Sequence, residues 1–183
     1  METKSRGMLP DFCFDRITDV SLAWLIERGI AGLLLDMDNT ITRWEKHEVP
    51  APEMAWLAQV QSAGISCLLI SNGLARKKSA VIAQTGIDHV SGRRIKPFAG
   101  VFRQALADMK LGPERVMMIG DSVITDIIGA NSAGIWTCLV EPMSRVDFLG
   151  TKLYRLAETV FALRRPMHRG GDYRVKARVR GGA

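Results

Sequence analysis

Five short apolar runs punctuate the chain, at residues 30–35 (IAGLLL), 65–70 (ISCLLI), weakly at 89–90, then 116–119 (VMMI) and 135–140 (IWTCLV). Near-continuous apolar runs of this length suit strands covered on both faces, as in a parallel sheet. The segments between them carry helical spacing. Residues 52–63 open with Pro and Glu, which suit a first helical turn, and Gly64 stops them. Residues 74–85 place apolar side chains at 74, 75, 81 and 82, with Gly86 as the stop. Residues 98–110 set Val101, Phe102, Ala105, Leu106 and Met109 on one stripe, ended by Gly112-Pro113. Further helices are predicted at 122–132 and 152–163, and a short one at 20–28. Strand and helix in alternation predict an α/β fold: a doubly wound, mainly parallel, five-stranded Rossmann-like sheet with right-handed crossovers.

In such a sheet ligands bind beyond the carboxyl ends of the strands. Polar residues gather there. The first strand ends in Asp36-Met37-Asp38-Asn39-Thr40 and the second in Ser71-Asn72-Gly73. Lys96-Pro97 precedes the helix at 98–110, and the fourth strand ends in Gly120-Asp121-Ser122, with Asp126 five residues beyond Asp121. Strand periodicity sends the side chains of Asp36 and Asp38 to the same side if the chain is still extended there.

These residue types suit phosphoryl transfer. A carboxylate such as Asp36 can attack phosphorus and form an aspartyl-phosphate, splitting hydrolysis into two easier steps. A second carboxyl, Asp38, can protonate the leaving oxygen and then deprotonate the attacking water. Mg²⁺ would relieve the repulsion between these acids and a phosphate, with Asp121 as a further oxygen ligand. Lys96 would neutralise the phosphoryl oxygens, with Ser71 and nearby backbone N–H groups donating to them. Asn72 joins Ser71 and Lys96 as a candidate phosphate-binding residue.

DMDNT, SN, KP and GDSVITD, in this order, resemble the four motifs of the haloacid dehalogenase (HAD) superfamily. The resemblance implies Asp36 as nucleophile and Asp38 as acid/base whose main-chain carbonyl also meets the metal. It implies Ser71 as the phosphate-binding hydroxyl, Lys96 as the third-motif lysine and Asp121 as a metal ligand. Asp126 would bind through water or orient the lysine. Asp at position 38 resembles the phosphatases, since ATPase relatives usually carry Thr there. About eleven residues separate Thr40 from the next helix, and Lys96 follows Ser71 by 25 positions; neither gap holds a cap domain. A capless site resembles subclass III. MLPD near the start, the Gly-Ile before the first strand, GDSVITDIIGANSAG and the basic C-terminus are similar to the YqeG branch, over roughly residues 8–165. Relatives of that branch include phosphatidylglycerophosphate phosphatases of phospholipid synthesis. Gly73 stands where many branch members have Asn.

Charge changes the picture only locally. The chain carries 25 Lys and Arg against 19 Asp and Glu. Residues 164–183 hold seven basic residues and one acid, so the rest balances at 18 of each sign. A neutral body with a basic tail argues against a nucleic-acid groove across the fold and for a local anionic contact. The domain reading is an N-terminal extension with a short helix at 1–29, a HAD-like phosphatase domain at 30–165 and a basic, mobile tail at 166–183. Cys13, Cys67 and Cys138 are widely spaced, without metal-binding spacing, and suit a reducing compartment. No signal peptide or membrane-spanning run is evident. A soluble, cytoplasmic protein is expected, able to sit peripherally at the inner face of the membrane.

The functional expectation is thus a Mg²⁺-dependent phosphomonoesterase, with phosphatidylglycerophosphate as the favoured substrate, presented as a lipid head group at a membrane surface. Two alternatives stay open: a phosphatase of soluble nucleotide or sugar phosphates, or a non-enzymatic Mg²⁺-binding module whose basic tail binds RNA. Arg43, Trp44 and His47 read as an exposed loop with one packed aromatic, and His89 as a surface residue.

Overall fold

The computed structural model describes residues 7–44, 46–73, 75–91, 95–144 and 171–172. Its centre is a sheet of β1 (Phe12–Phe14), β2 (Gly32–Leu35), β3 (Ser66–Leu69), β4 (Val116–Gly120), β5 (Trp136–Val140) and β6 (Gly171–Asp172). The spatial order is β3-β2-β4-β5-β1-β6. The first five of these in space are parallel, and β6 closes the edge antiparallel to β1.

The apolar runs are unbroken because both faces are covered. Leu33, Leu35, Met117 and Ile119 enter one core, together with Trp56, Leu57 and Val60 of α2 (Ala51–Ser62) and Val81 of α3 (Ala75–Thr85). Leu34, Val116 and Met118 enter the other, with Val101, Phe102 and Ala105 of α4 (Ala99–Met109) and Ala130 of α5 (Gly129–Ser132). A short α1 (Leu22–Glu27) joins the first core through Leu25. The α/β, doubly wound, mainly parallel architecture expected from the sequence is the one observed.

Three strands differ from the expectation: one is β6, whose Gly171–Asp172 pairs with β1 although it falls in the segment read as a mobile tail. The weak run at 89–90 makes only a single bridge, from His89 to Leu69. The fifth parallel strand is instead β1, in the segment read as an N-terminal extension. Phe12 pairs with Cys138, Cys13 with Leu139 and Phe14 with Val140. Asp11 extends this seam: its backbone N–H donates to the Thr137 carbonyl, and its Oδ2 accepts from the Thr137 N–H and hydroxyl. The helix expected at 152–163 lies outside the described residues, as does most of the basic tail. Among the described residues no helix is long and apolar enough to cross a membrane.

The crossover after β4 is not a regular α-helix. Val123–Ile128 is wound as a π-helical segment and runs directly into α5. The Ile127 N–H reaches back five residues to the Ser122 carbonyl. Such widened turns are frequent at functional sites.

Candidate active site

The carboxyl ends of β2 and β4 lie side by side, because Leu35 pairs with Ile119 and the Asp36 N–H donates to the Ile119 carbonyl. Asp36 and Asp121 therefore leave the sheet as neighbours. After Asp36 the chain turns back on itself. The Met37 carbonyl accepts from the Ile41 N–H, the Thr42 N–H and the Thr42 hydroxyl, while Asn39 adopts a left-handed φ of 62°. Asn is one of the few non-glycine residues that tolerate this region. The turn holds Asp38 on the site side of the loop.

Three carboxylates converge: oxygens of Asp36, Asp121 and Asp126 lie within 4.8 Å of one another, and all three residues are buried. Lys96 enters between them from the loop ahead of α4, its Nζ 2.5 Å from Asp36 Oδ1 and 2.6 Å from Asp126 Oδ1. Burial opposes the Lys96 charge, but Asp126 and Asp36 outweigh it and raise the ammonium's pKa. Burial also pushes the Asp36 carboxyl up to about 7; Lys96 pulls it down, while Asp126 and Asp38 add to the rise.

Asp126 reaches this position through two local devices. The π-helical turn returns its side chain to the strand end, where Oδ2 accepts from the Ser122 N–H at 3.1 Å. Gly120 supplies the room, since a Cβ there would stand 2.2 Å from Asp126 Oδ2. With Oδ1 on Lys96, Asp126 orients the lysine directly.

Ser71 sits at the end of β3, 3.4 Å by its Oγ from Asp38 Oδ2, and its Oγ also accepts from the Gly73 N–H. A Cβ at Gly73 would stand 2.8 Å from Asp38 Oδ2, so the glycine keeps clear the space beside that carboxylate. Asn72 does not point its carboxamide at free space. Its Oδ1 accepts from the Lys96 N–H and its Nδ2 donates to the Lys96 carbonyl, both at 2.9 Å. Its place is behind the lysine, fixing the main chain that carries it.

Lys77 is not singled out in the sequence, and His89 is placed at the surface. Lys77, from the first turn of α3, is buried and donates to Asp38 Oδ1 and to the carbonyls of Arg43 and Trp44. His89, expected at the surface, is half-buried beside Ser71: the Ser71 N–H donates to its Nε2 at 3.2 Å. Burial holds its pKa below the ordinary range. Nothing in the local sequence of His89 signals this role. Arg43 and His47 are exposed and Trp44 is half-buried, as the loop reading expected.

The chain is 30% identical over 162 residues to the probable phosphatase YqeG of Bacillus subtilis, covering 87% of this chain and 94% of that protein. It belongs to the YqeG family of HAD-type phosphatases. A family model described as HAD-hydrolase-like matches residues 94–142 of this YqeG-family chain, the stretch that carries Lys96, Asp121 and Asp126. The chain is also 29% identical over 132 residues to an Arabidopsis thaliana protein named phosphatidylglycerophosphate phosphatase 1, covering 67% of this chain and 38% of that one. The fold matches deoxy-D-mannose-octulosonate 8-phosphate phosphatase of Haemophilus influenzae, solved in a cobalt-bound form, with a TM-score of 0.51 at 15% identity over 62% of this chain and 69% of that chain. The protein is therefore a hydrolase of phosphate monoesters. Phosphatases of this superfamily generally use a divalent metal. The donor set fits one: three buried carboxylates meet one ammonium here, an excess of negative charge that a hard cation would neutralise.

Proposed function

We propose that this YqeG-family chain is a Mg²⁺-dependent phosphatase working through a phospho-Asp36 intermediate, with phosphatidylglycerophosphate as its substrate. The observation that carries the reading is the meeting of Asp36, Asp121, Asp126 and Lys96 at the carboxyl edge of the sheet. Asp36 and Asp121, with the main-chain carbonyl of Asp38, would hold the metal. When bound, it would supply charge neutralisation that lets an anionic phosphate approach a carboxylate.

The chain's own residues supply the rest. One Asp36 oxygen attacks phosphorus as the ester P–O bond breaks, and Asp38 gives a proton to the departing oxygen. Water then attacks the aspartyl-phosphate while Asp38 takes back a proton, releasing phosphate and restoring Asp36. Lys96 offsets charge on the phosphoryl oxygens, and Ser71 donates a hydrogen bond to them. Asp126 and Asn72 keep the lysine in place from its head and from its main chain.

Three features support a lipid-borne substrate. The stretches after Thr40 and between Ser71 and Lys96 are too short for an enclosing cap. The C-terminal residues 164–183 carry seven basic side chains, each able to contribute about 1 kcal/mol near an anionic membrane. The Arabidopsis relative is named for this substrate. In this reading the protein works peripherally at the cytoplasmic face of the membrane. A soluble monoester is the competing reading, favoured by 33% identity over 92 residues to a glyceraldehyde 3-phosphate phosphatase of Methanothermobacter thermautotrophicus, of which the match spans 41%.

Phosphate release from phosphatidylglycerophosphate in mixed micelles, with and without Mg²⁺, tests the proposal beside a panel of soluble monoesters. The expected result is Mg²⁺-dependent release that Asp36→Asn abolishes, with the lipid preferred. Full turnover by the Asn variant rejects the phosphoenzyme, and a preference for soluble esters rejects the lipid assignment.

A further inference from the structure

The Lys77 side chain is buried to 7% exposure, in a helix turn flanked by Arg76 and Lys78. An ammonium has three N–H donors, and a buried one is costly unless each is used. All three are. One goes to Asp38 Oδ1 at 2.5 Å, and the other two go to the Arg43 and Trp44 carbonyls at 3.0 Å each. The Trp44 ring lies with its centroid 6.0 Å from the same nitrogen. Lys77 thus ties the Asp38 carboxylate to the loop that leaves the nucleophile turn. The second Asp38 oxygen is left facing Ser71 Oγ and the clearing beside Gly73.

We propose that Lys77 is a positioning residue for the acid/base step: it pins one Asp38 oxygen so that the other meets the leaving group. This rests on the phospho-Asp36 reading above. The three bonds of the ammonium go to Asp38 and to two loop carbonyls and none to Asp36, so in this reading Lys77 acts on the reaction through Asp38. Its importance should therefore follow how much the leaving oxygen needs a proton. An alkoxide from an alkyl phosphate needs one badly, whereas p-nitrophenolate leaves readily without it. Proton transfer by a positioned side chain contributes about 10²–10⁴-fold, so loss of positioning should remove a substantial part of that.

The test compares kcat/KM for an alkyl monoester, glycerol 3-phosphate, and for p-nitrophenyl phosphate, in wild type, Lys77→Met, Asp38→Asn and the double variant. The ratio kcat/KM reports only steps up to loss of the leaving group. Lys77→Met should lower it roughly 10-fold to 100-fold for the alkyl ester and less than about 3-fold for the aryl ester. In the Asp38→Asn background it should cost the alkyl ester almost nothing more, because both changes remove one function. Equal losses on both esters, or a full additional loss in the Asn background, overturn the inference and leave Lys77 as a structural tie. Should Lys77→Met fail to fold, Lys77→Gln, which can still donate to a loop carbonyl, carries the same comparison. Retained turnover in Asp36→Asn would instead strike the phosphoenzyme reading itself, and the two failures are thereby distinguished.

Discussion

The Asn72 carboxamide grips the Lys96 main chain on both sides of its Cα, accepting from its N–H and donating to its carbonyl at 2.9 Å. This links the end of β3 to the loop that carries the site's only ammonium within reach of Asp36 among the described residues. Replacing Asn72 with Ala removes both bonds at once. At about 0.5–1.5 kcal/mol each, the variant should lose roughly 1–3 kcal/mol in urea unfolding. Phosphatase activity should fall further than stability does, about 10-fold or more in kcat, because Lys96 then rests on its side-chain contacts alone.

The raised Asp36 carboxyl makes a sign-definite prediction for metal-free protein. Its folded pKa of about 7 lies above its ordinary value of 3.8. Between these values the folded state holds more protons than the unfolded one. Asp36 therefore costs stability progressively as pH rises from about 4 to about 7. Urea midpoints measured across that window should fall for wild type relative to Asp36→Asn, which does not titrate there. Saturating Mg²⁺ should flatten the difference by stabilising the ionised form.

Gly120→Ala places a methyl 2.2 Å from Asp126 Oδ2 and 2.5 Å from its Cγ. The carboxylate must swing away, and with it goes one of the two contacts that aim Lys96. The variant should fold with a loss of about 1–3 kcal/mol. Its activity should drop at least 10-fold. Thermal unfolding alongside a phosphate-release assay checks both parts.

Phe12 anchors β1 against the domain. Its ring meets Trp24 edge-on at 4.8 Å between centroids, and only 5% of the residue is exposed. Phe12→Ala should cost about 3–5 kcal/mol, read as a shifted denaturation midpoint. A near-zero change would mean that the N-terminal segment is dispensable to the sheet.

The sequence shows some parts of this molecule far better than others. β2 and β4 are legible because each is an unbroken apolar run ending in acids, the signature of a doubly covered strand with a site at its tip. β1 is not, because three residues, Phe-Cys-Phe, are too few to show a period, and their partner strand lies more than a hundred residues away. Asp36, Asp121, Asp126 and Lys96 could be grouped from order and spacing, but the place of Asn72 behind the lysine could not. Lys77 was hidden inside the run Arg76-Lys77-Lys78, which reads as a solvated face. One signal was present: Lys77 shares an i, i+4, i+8 stripe with Val81 and Thr85, and those three are the buried residues of α3.

The widened turn at Val123–Ile128 bears on how the chain tolerates changes in length. Excising one residue there would let the crossover relax into ordinary winding, where each position advances about 100° around the axis. Asp126 would then face away from the lysine with its chemistry untouched. At this point the spacing of the backbone, as much as the identity of any side chain, sets the working geometry, and an indel would be more damaging than most substitutions.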